Sequence, residues 1–156
     1  MMKPAIGRED IRYQIGQVLN FILGSSGFGS RLTEEIREKR GLTYGIYSYF
    51  YDLDHVDGLA VSTSTQNQNV PEMLSLIHGE FKKLQDEEVS AKELQDAKNY
   101  LIGSLPLSLT STDNIAGLMN SIQLDNLPMD YLDQRQSAIE NVSAADVQAL
   151  AKDILD

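Results

Sequence analysis

Three observations in the sequence predict an α+β domain. Two neighbouring segments, Thr43–Tyr51 and Leu59–Thr65, carry the aromatic and β-branched residues that favour strands, and they flank the acidic stretch Asp52–Gly58 in the pattern of a β-hairpin. Almost everything outside them repeats its apolar residues at helical spacing. The 156 residues, with 42% hydrophobic composition, suffice for one buried core, which argues for a single domain over 1–156.

The first helix is expected from Asp10 to Leu23, with Ile11, Ile15, Val18, Leu19, Ile22 and Leu23 on one buried face. It stops in the segment Gly24–Ser30, whose three glycines disfavour helix. Ser30 then caps a short helix through Arg40, with Leu32 and Ile36 inward and Gly41 as a left-handed stop. Alternation along the next strand puts Tyr44, Ile46, Ser48 and Phe50 on one face and Tyr47, Tyr49 and Tyr51 on the other, where packing under helices is expected for these three. Asn69 is read as the cap of a helix to about Asp86 with an inner stripe of Val70, Met73, Leu74, Ile77, Phe81 and Leu84. Ser90 and Glu93 form a capping box that opens a helix through about Gly103, with Pro106 barring its extension. Another helix opens at Thr112 or Asp113 and carries Ile115, Leu118, Met119 and Ile122. Two more run from Met129 to Glu140 and from Ser143 to Leu155. A lone hairpin would leave two backbone edges open, so the segment reads as the interior of a larger α+β sheet.

Composition excludes several functions. A net charge of -10 argues against a nucleic-acid partner, which requires clustered cations. Cysteine is absent, so disulfides, thiolate zinc sites and cysteine nucleophiles are out of reach. No stretch of about 18 apolar residues occurs, so no membrane span is expected. Periplasm and cytoplasm stay equally open, since a chain in either can do without cysteine.

The chemistry concentrates at Arg37 and Tyr44, which flank the end of the short helix and the start of the strand. Both donate hydrogen bonds, so together they suit a carbonyl oxygen or the oxyanion it becomes, given a nucleophile from elsewhere. On spacing alone the plainer reading is preferred: Arg37 facing the helix C-terminus and pairing with Glu34, Tyr44 packed as an ordinary strand residue. Arg31 and Arg40 compete for the role, although Arg40 beside Gly41 is expected to face solvent.

Six stretches, Pro4–Asp10, Leu19–Gly24, Gly27–Leu32, Ile36–Tyr44, Glu93–Lys98 and Leu101–Pro106, together and in this order resemble the pitrilysin or insulinase type of zinc metallopeptidase. That superfamily includes insulin-degrading enzyme, the mitochondrial processing peptidase and bacterial two-part zinc proteases. The resemblance implies an antiparallel sheet backed by helices, in a domain type used in pairs. One copy carries His-x-x-Glu-His with a distal Glu and holds zinc; the other lacks zinc and lends an Arg and a Tyr to the shared cavity. This chain resembles the second copy, so the pair carries over to Arg37 and Tyr44, and the preference stated above reverses. Gly27, Phe28 and Gly29 fall where processing-peptidase relatives have a longer glycine-rich substrate loop, a weak substrate-binding candidate in so short a form.

The implied function is to bind a polypeptide and polarise its scissile carbonyl for hydrolysis by a zinc-bearing homologous domain or subunit, with no activity for this chain alone. The alternative is a non-catalytic scaffold or assembly subunit of the same superfold. Only His55 and His78 exist, too far apart in sequence for a helical zinc motif, so no cofactor is expected in this chain and zinc is assigned to the partner. Asp52, Asp54 and Asp57 miss the calcium-loop spacing, and Gly27-Phe28-Gly29 follows a helix where a dinucleotide fingerprint follows a strand. Relatives have a further strand at each end of the segment, so the sheet is expected to be truncated at both ends and to hide its edges by self-association.

Overall fold

The computed structural model describes residues 1–26, 29–53 and 55–155. The architecture is α+β: a small antiparallel sheet with helices packed on one face. Strand β1 (Met2–Pro4), β2 (Ile46–Leu53) and β3 (Val56–Thr63) lie in the order β1-β3-β2. The hairpin register runs from Ile46 opposite Thr63 to Leu53 opposite Val56, so most of the segment read as an acidic turn is strand. Asp52 faces Asp57 across the pair, and Arg8 Nε lies 3.4 Å from the Asp52 carboxylate, which offsets the like charges. Nor is the hairpin alone. β1 pairs with β3 from Met2 opposite Ala60 to Pro4 opposite Gly58, and the Val61 N–H to Met1 C=O (2.8 Å) and Ala5 N–H to Asp57 C=O (3.1 Å) bonds extend the ladder beyond both its ends. A three-residue strand ending in proline carries too little alternation to be read from sequence.

The pleat divides the sheet cleanly. Ile46 and Ser48 are buried beneath the helices with Leu59 and Val61, while Tyr47, Tyr49 and Tyr51 project from the uncovered face. The buried Ser48 hydroxyl donates to Asn20 Oδ1 at 2.7 Å, so neither polar group is stranded in the core. The expected burial of the three tyrosines is thus corrected: the helices occupy the opposite face.

Helix α1 (Tyr13–Asn20) continues as a π-helical turn over Phe21–Ser25. It starts later than its apolar pattern predicts, because the Asp10 carboxylate accepts from Arg12 N–H (2.8 Å) and shapes the preceding turn, which leaves Ile11 97% exposed. Where this turn crosses the sheet, a Cβ on Gly24 would lie 2.6 Å from Ser48 Oγ and 2.9 Å from Ser48 N, so the close approach requires glycine. The short helix follows as a π-helical segment, Thr33–Glu38, with the Lys39 N–H bonded to Glu34 C=O five residues back (3.0 Å). Leu32 and Ile36 are fully buried as expected; Ser30 is buried too, and its hydroxyl donates to Thr33 Oγ1 (3.0 Å).

Helix α2 (Val70–Asp86) buries Met73, Ile77, Phe81 and Leu84, whereas Val70 and Leu74 stay exposed and Asn69 makes no side-chain cap. α3 (Ala91–Ser108) opens with the expected Ser90–Glu93 capping box and runs through Pro106. In the last turn the missing N–H removes one bond without breaking the helix. α4 (Thr112–Leu124), capped by Ser111, has no buried residue. α5 (Tyr131–Asn141) and α6 (Ala144–Ile154) complete the chain, α6 through a Ser143–Asp146 capping box. Contacts of α1 with α5 and α6, and of α2 with α6, close the core over the sheet's inner face around Val18, Leu19, Leu84, Ile139 and Val147.

Candidate functional site

The corner between the π-helical segment and β2 is built by a glycine and a set of hydroxyls. Gly41 adopts φ 61°, the left-handed geometry that ends a helix; its N–H bonds Arg37 C=O (2.9 Å), and Leu42 N–H bonds Ile36 C=O (3.1 Å). Beyond it, the backbone is tied to the end of β3. Thr65 Oγ1 donates to Leu42 C=O at 2.6 Å, Thr43 Oγ1 lies 2.8 Å from Ser64 C=O, and Thr63 Oγ1 lies 3.0 Å from both Thr43 Oγ1 and Gly45 C=O. Both peptide neighbours of Tyr44 are therefore held while its side chain is 92% exposed. Tyr44 precedes β2 and projects outward, so it does not share the buried face of Ile46 and Ser48 as its position in the alternation suggests.

Arg37 meets Tyr44 here. Its Cζ lies 5.4 Å from the centroid of the Tyr44 ring, a cation–π contact that orders an otherwise free phenol by about 0.5–1 kcal/mol at an exposed site. Arg37 Nε lies 3.5 Å from Glu38 Oε1, and Lys39 Nζ lies 3.8 Å from Glu34 Oε1. The two competing arginines are engaged elsewhere. Arg31 forms a two-pronged bond with Glu93 (2.7 and 3.1 Å), and Arg40 bonds Glu35 through both its carboxylate (2.6 Å) and its C=O (2.8 Å). Burial pushes the Glu93 carboxyl up, but hydrogen bonds from Arg31, the Ser90 hydroxyl and the Ser90 N–H outweigh it and hold Glu93 at about 2. Hydrogen bonds from Arg40 and Lys39 likewise hold Glu35 below its usual range.

Gly29 has φ 98° with open space around it; Gly27 and Phe28 lie outside the described residues. His55 is exposed and lines a cavity of about 410 Å³ with Arg8, Asp52, Asp57 and Asp125, and His78 is exposed on α2 beside Phe81. Among the described residues, no group of three or more His, Cys, Asp or Glu side chains is placed to hold a metal ion, so a zinc centre does not fit them. No helix among those residues is long and apolar enough to cross a membrane. Thr43, Thr63 and Thr65 were not legible as supports of Tyr44; the hydroxyl-rich run Ser62–Thr65 was the available signal.

The family model described as the peptidase M16 inactive domain matches residues 4–101. The chain belongs to this M16 inactive-domain family. A Streptomyces coelicolor relative named an uncharacterized zinc protease is 32% identical over 155 residues, covering 97% of this chain and 33% of that protein. A Helicobacter pylori relative, named a non-peptidase homolog, is 32% identical over 141 residues, 87% of this chain and 31% of that protein. The chain therefore spans about a third of these curated relatives. Among solved structures, a peptidase M16 inactive domain from Pseudomonas fluorescens superposes with a TM-score of 0.89 at 33% identity, over 99% of this chain and 37% of that one. Membership accounts for the helix-backed antiparallel sheet.

Proposed function

We propose that this M16 inactive domain holds a polypeptide substrate for a zinc-bearing homologous domain, with Arg37 and Tyr44 binding the scissile carbonyl. The observation that carries the reading is the stacking of the Arg37 guanidinium against an exposed, backbone-anchored Tyr44 ring, 5.4 Å to its centroid. N–H and O–H donors then share one open corner, where a carbonyl oxygen accepts from both and gains most as it becomes an oxyanion. The substrate lies extended beside β2, whose pairing among the described residues is with β3 alone, so main-chain bonds can hold it. Zinc and the water it activates belong to the partner domain; this chain binds, orients and polarises. Gly29 and its neighbours add a weaker contact.

Mixing the purified chain with its zinc-bearing partner and zinc, and following cleavage of an unfolded polypeptide, tests the reading. Activity is expected in the mixture and in neither component alone; full activity in the partner alone would contradict it. A second reading, a scaffold or assembly role, is favoured by the Helicobacter relative's name as a non-peptidase homolog. It predicts co-purification with a complex lacking any His-x-x-Glu-His chain.

A further inference from the structure

The uncovered face of the sheet carries a pattern that the carbonyl-binding corner does not use. Tyr47, Tyr49 and Tyr51 follow one another along β2 with 54%, 37% and 37% exposure, and their cross-strand partners on β3 are Ser62, Ala60 and Gly58. Large rings therefore stand in a row along the edge strand above a floor of small residues. The row is ordered: the Tyr49 and Tyr51 hydroxyls lie 3.1 Å apart and their rings meet edge to face at 5.0 Å. It also runs into the corner, because the Tyr47 ring folds back over Gly45, where an added Cβ would lie 3.1 Å from it, one residue after Tyr44.

A strand laid beside β2 presents every second side chain on this face, and each such side chain becomes a cross-strand neighbour of one tyrosine. Its intervening side chains point to the helix-backed side. We infer that Tyr47, Tyr49 and Tyr51 are specificity-determining residues: they form subsites at alternate positions of the bound polypeptide and select large apolar or aromatic side chains there. The inference rests on the reading of Arg37 and Tyr44 as the carbonyl-binding pair, since that pair fixes which part of the substrate lies along β2. The net charge of -10 adds to the selection by disfavouring acidic substrates.

The test uses the enzyme assembled from this chain and its zinc-bearing partner, with peptides in which leucine is replaced by aspartate one position at a time outward from the scissile bond. The expected result is a period-two pattern, KM rising about three- to five-fold at alternate positions and little between them, by the size of single cross-strand contacts. In the Tyr49→Ser/Tyr51→Ser variant the steps at the positions beside residues 49 and 51 should vanish, leaving only the one beside Tyr47, and KM for the all-leucine peptide should rise. Tyr49→Phe/Tyr51→Phe should keep every step, since the rings remain. A pattern without periodicity, or one that survives the serine variant intact, overturns the inference, as does loss of binding to the zinc-bearing partner in that variant, which would make this face the inter-domain surface. Failure of the underlying reading is separable: it shows as a Tyr44→Phe enzyme with unchanged kcat.

Discussion

The corner at Arg37 and Tyr44 and the α4 segment are both largely exposed, yet they are built in opposite ways. Under the corner lie Leu32, Ile36 and Ile46, each fully buried, and its backbone is bonded to β3 by threonine hydroxyls. α4 has no buried residue, and Ile115, Met119 and Leu124 are 41%, 48% and 70% exposed. Solvent exposure therefore has two meanings here. At the corner a rigid base presents polar donors. At α4 apolar residues repeat at helical spacing but contribute little to the stability of the chain.

The contrast can be broken most forcefully at Ile36. Ile36→Ala leaves a cavity in the core one residue before Arg37 and is expected to destabilise by about 2–5 kcal/mol in urea unfolding. Gly41→Ala is expected to cost about 1–2 kcal/mol, since φ 61° is unfavourable for a Cβ even though nothing crowds it, and Gly41→Asn should recover much of the loss. The Arg31–Glu93 link sharpens the picture through pH. Glu93 sits at about 2 in the fold against an ordinary 4.5, so its contribution is complete above pH 4.5 and is lost as pH falls from there toward 2. Its side chain is 33% exposed, so after solvent screening the loss is about 1 kcal/mol, and unfolding measured across that range should show it missing in Glu93→Gln. Met119→Ser on α4 should change stability by less than about 0.5 kcal/mol. A large loss there would show that α4 is packed after all.

The same two regions explain what the sequence could and could not reveal. Periodicity placed the helices, and local chemistry placed the stop at Gly41, the capping box at Ser90 and the start of the last helix at Ser143, because those signals act within a few residues. β1 escaped because its identity lies in pairing with β3, more than fifty residues away. Ile115 and Met119 follow a helical apolar pattern as faithfully as Met73 and Ile77, and only tertiary packing separates the buried pair from the exposed one. Which face of β2 the helices cover was equally invisible, since alternation distinguishes two faces without saying which is inward. At the site, Arg37 and Tyr44 were found through resemblance and their proximity is geometric fact, whereas the threonine support depends on strand register.

The most direct test of the carbonyl-binding role is kcat of the assembled enzyme carrying Tyr44→Phe, compared with the unaltered enzyme on the same peptide. Loss of one donor to a developing oxyanion predicts a fall of about 100- to 1,000-fold in kcat, with a smaller change in KM. An unchanged kcat would contradict the account and leave Tyr44 as a surface residue stacked on an arginine.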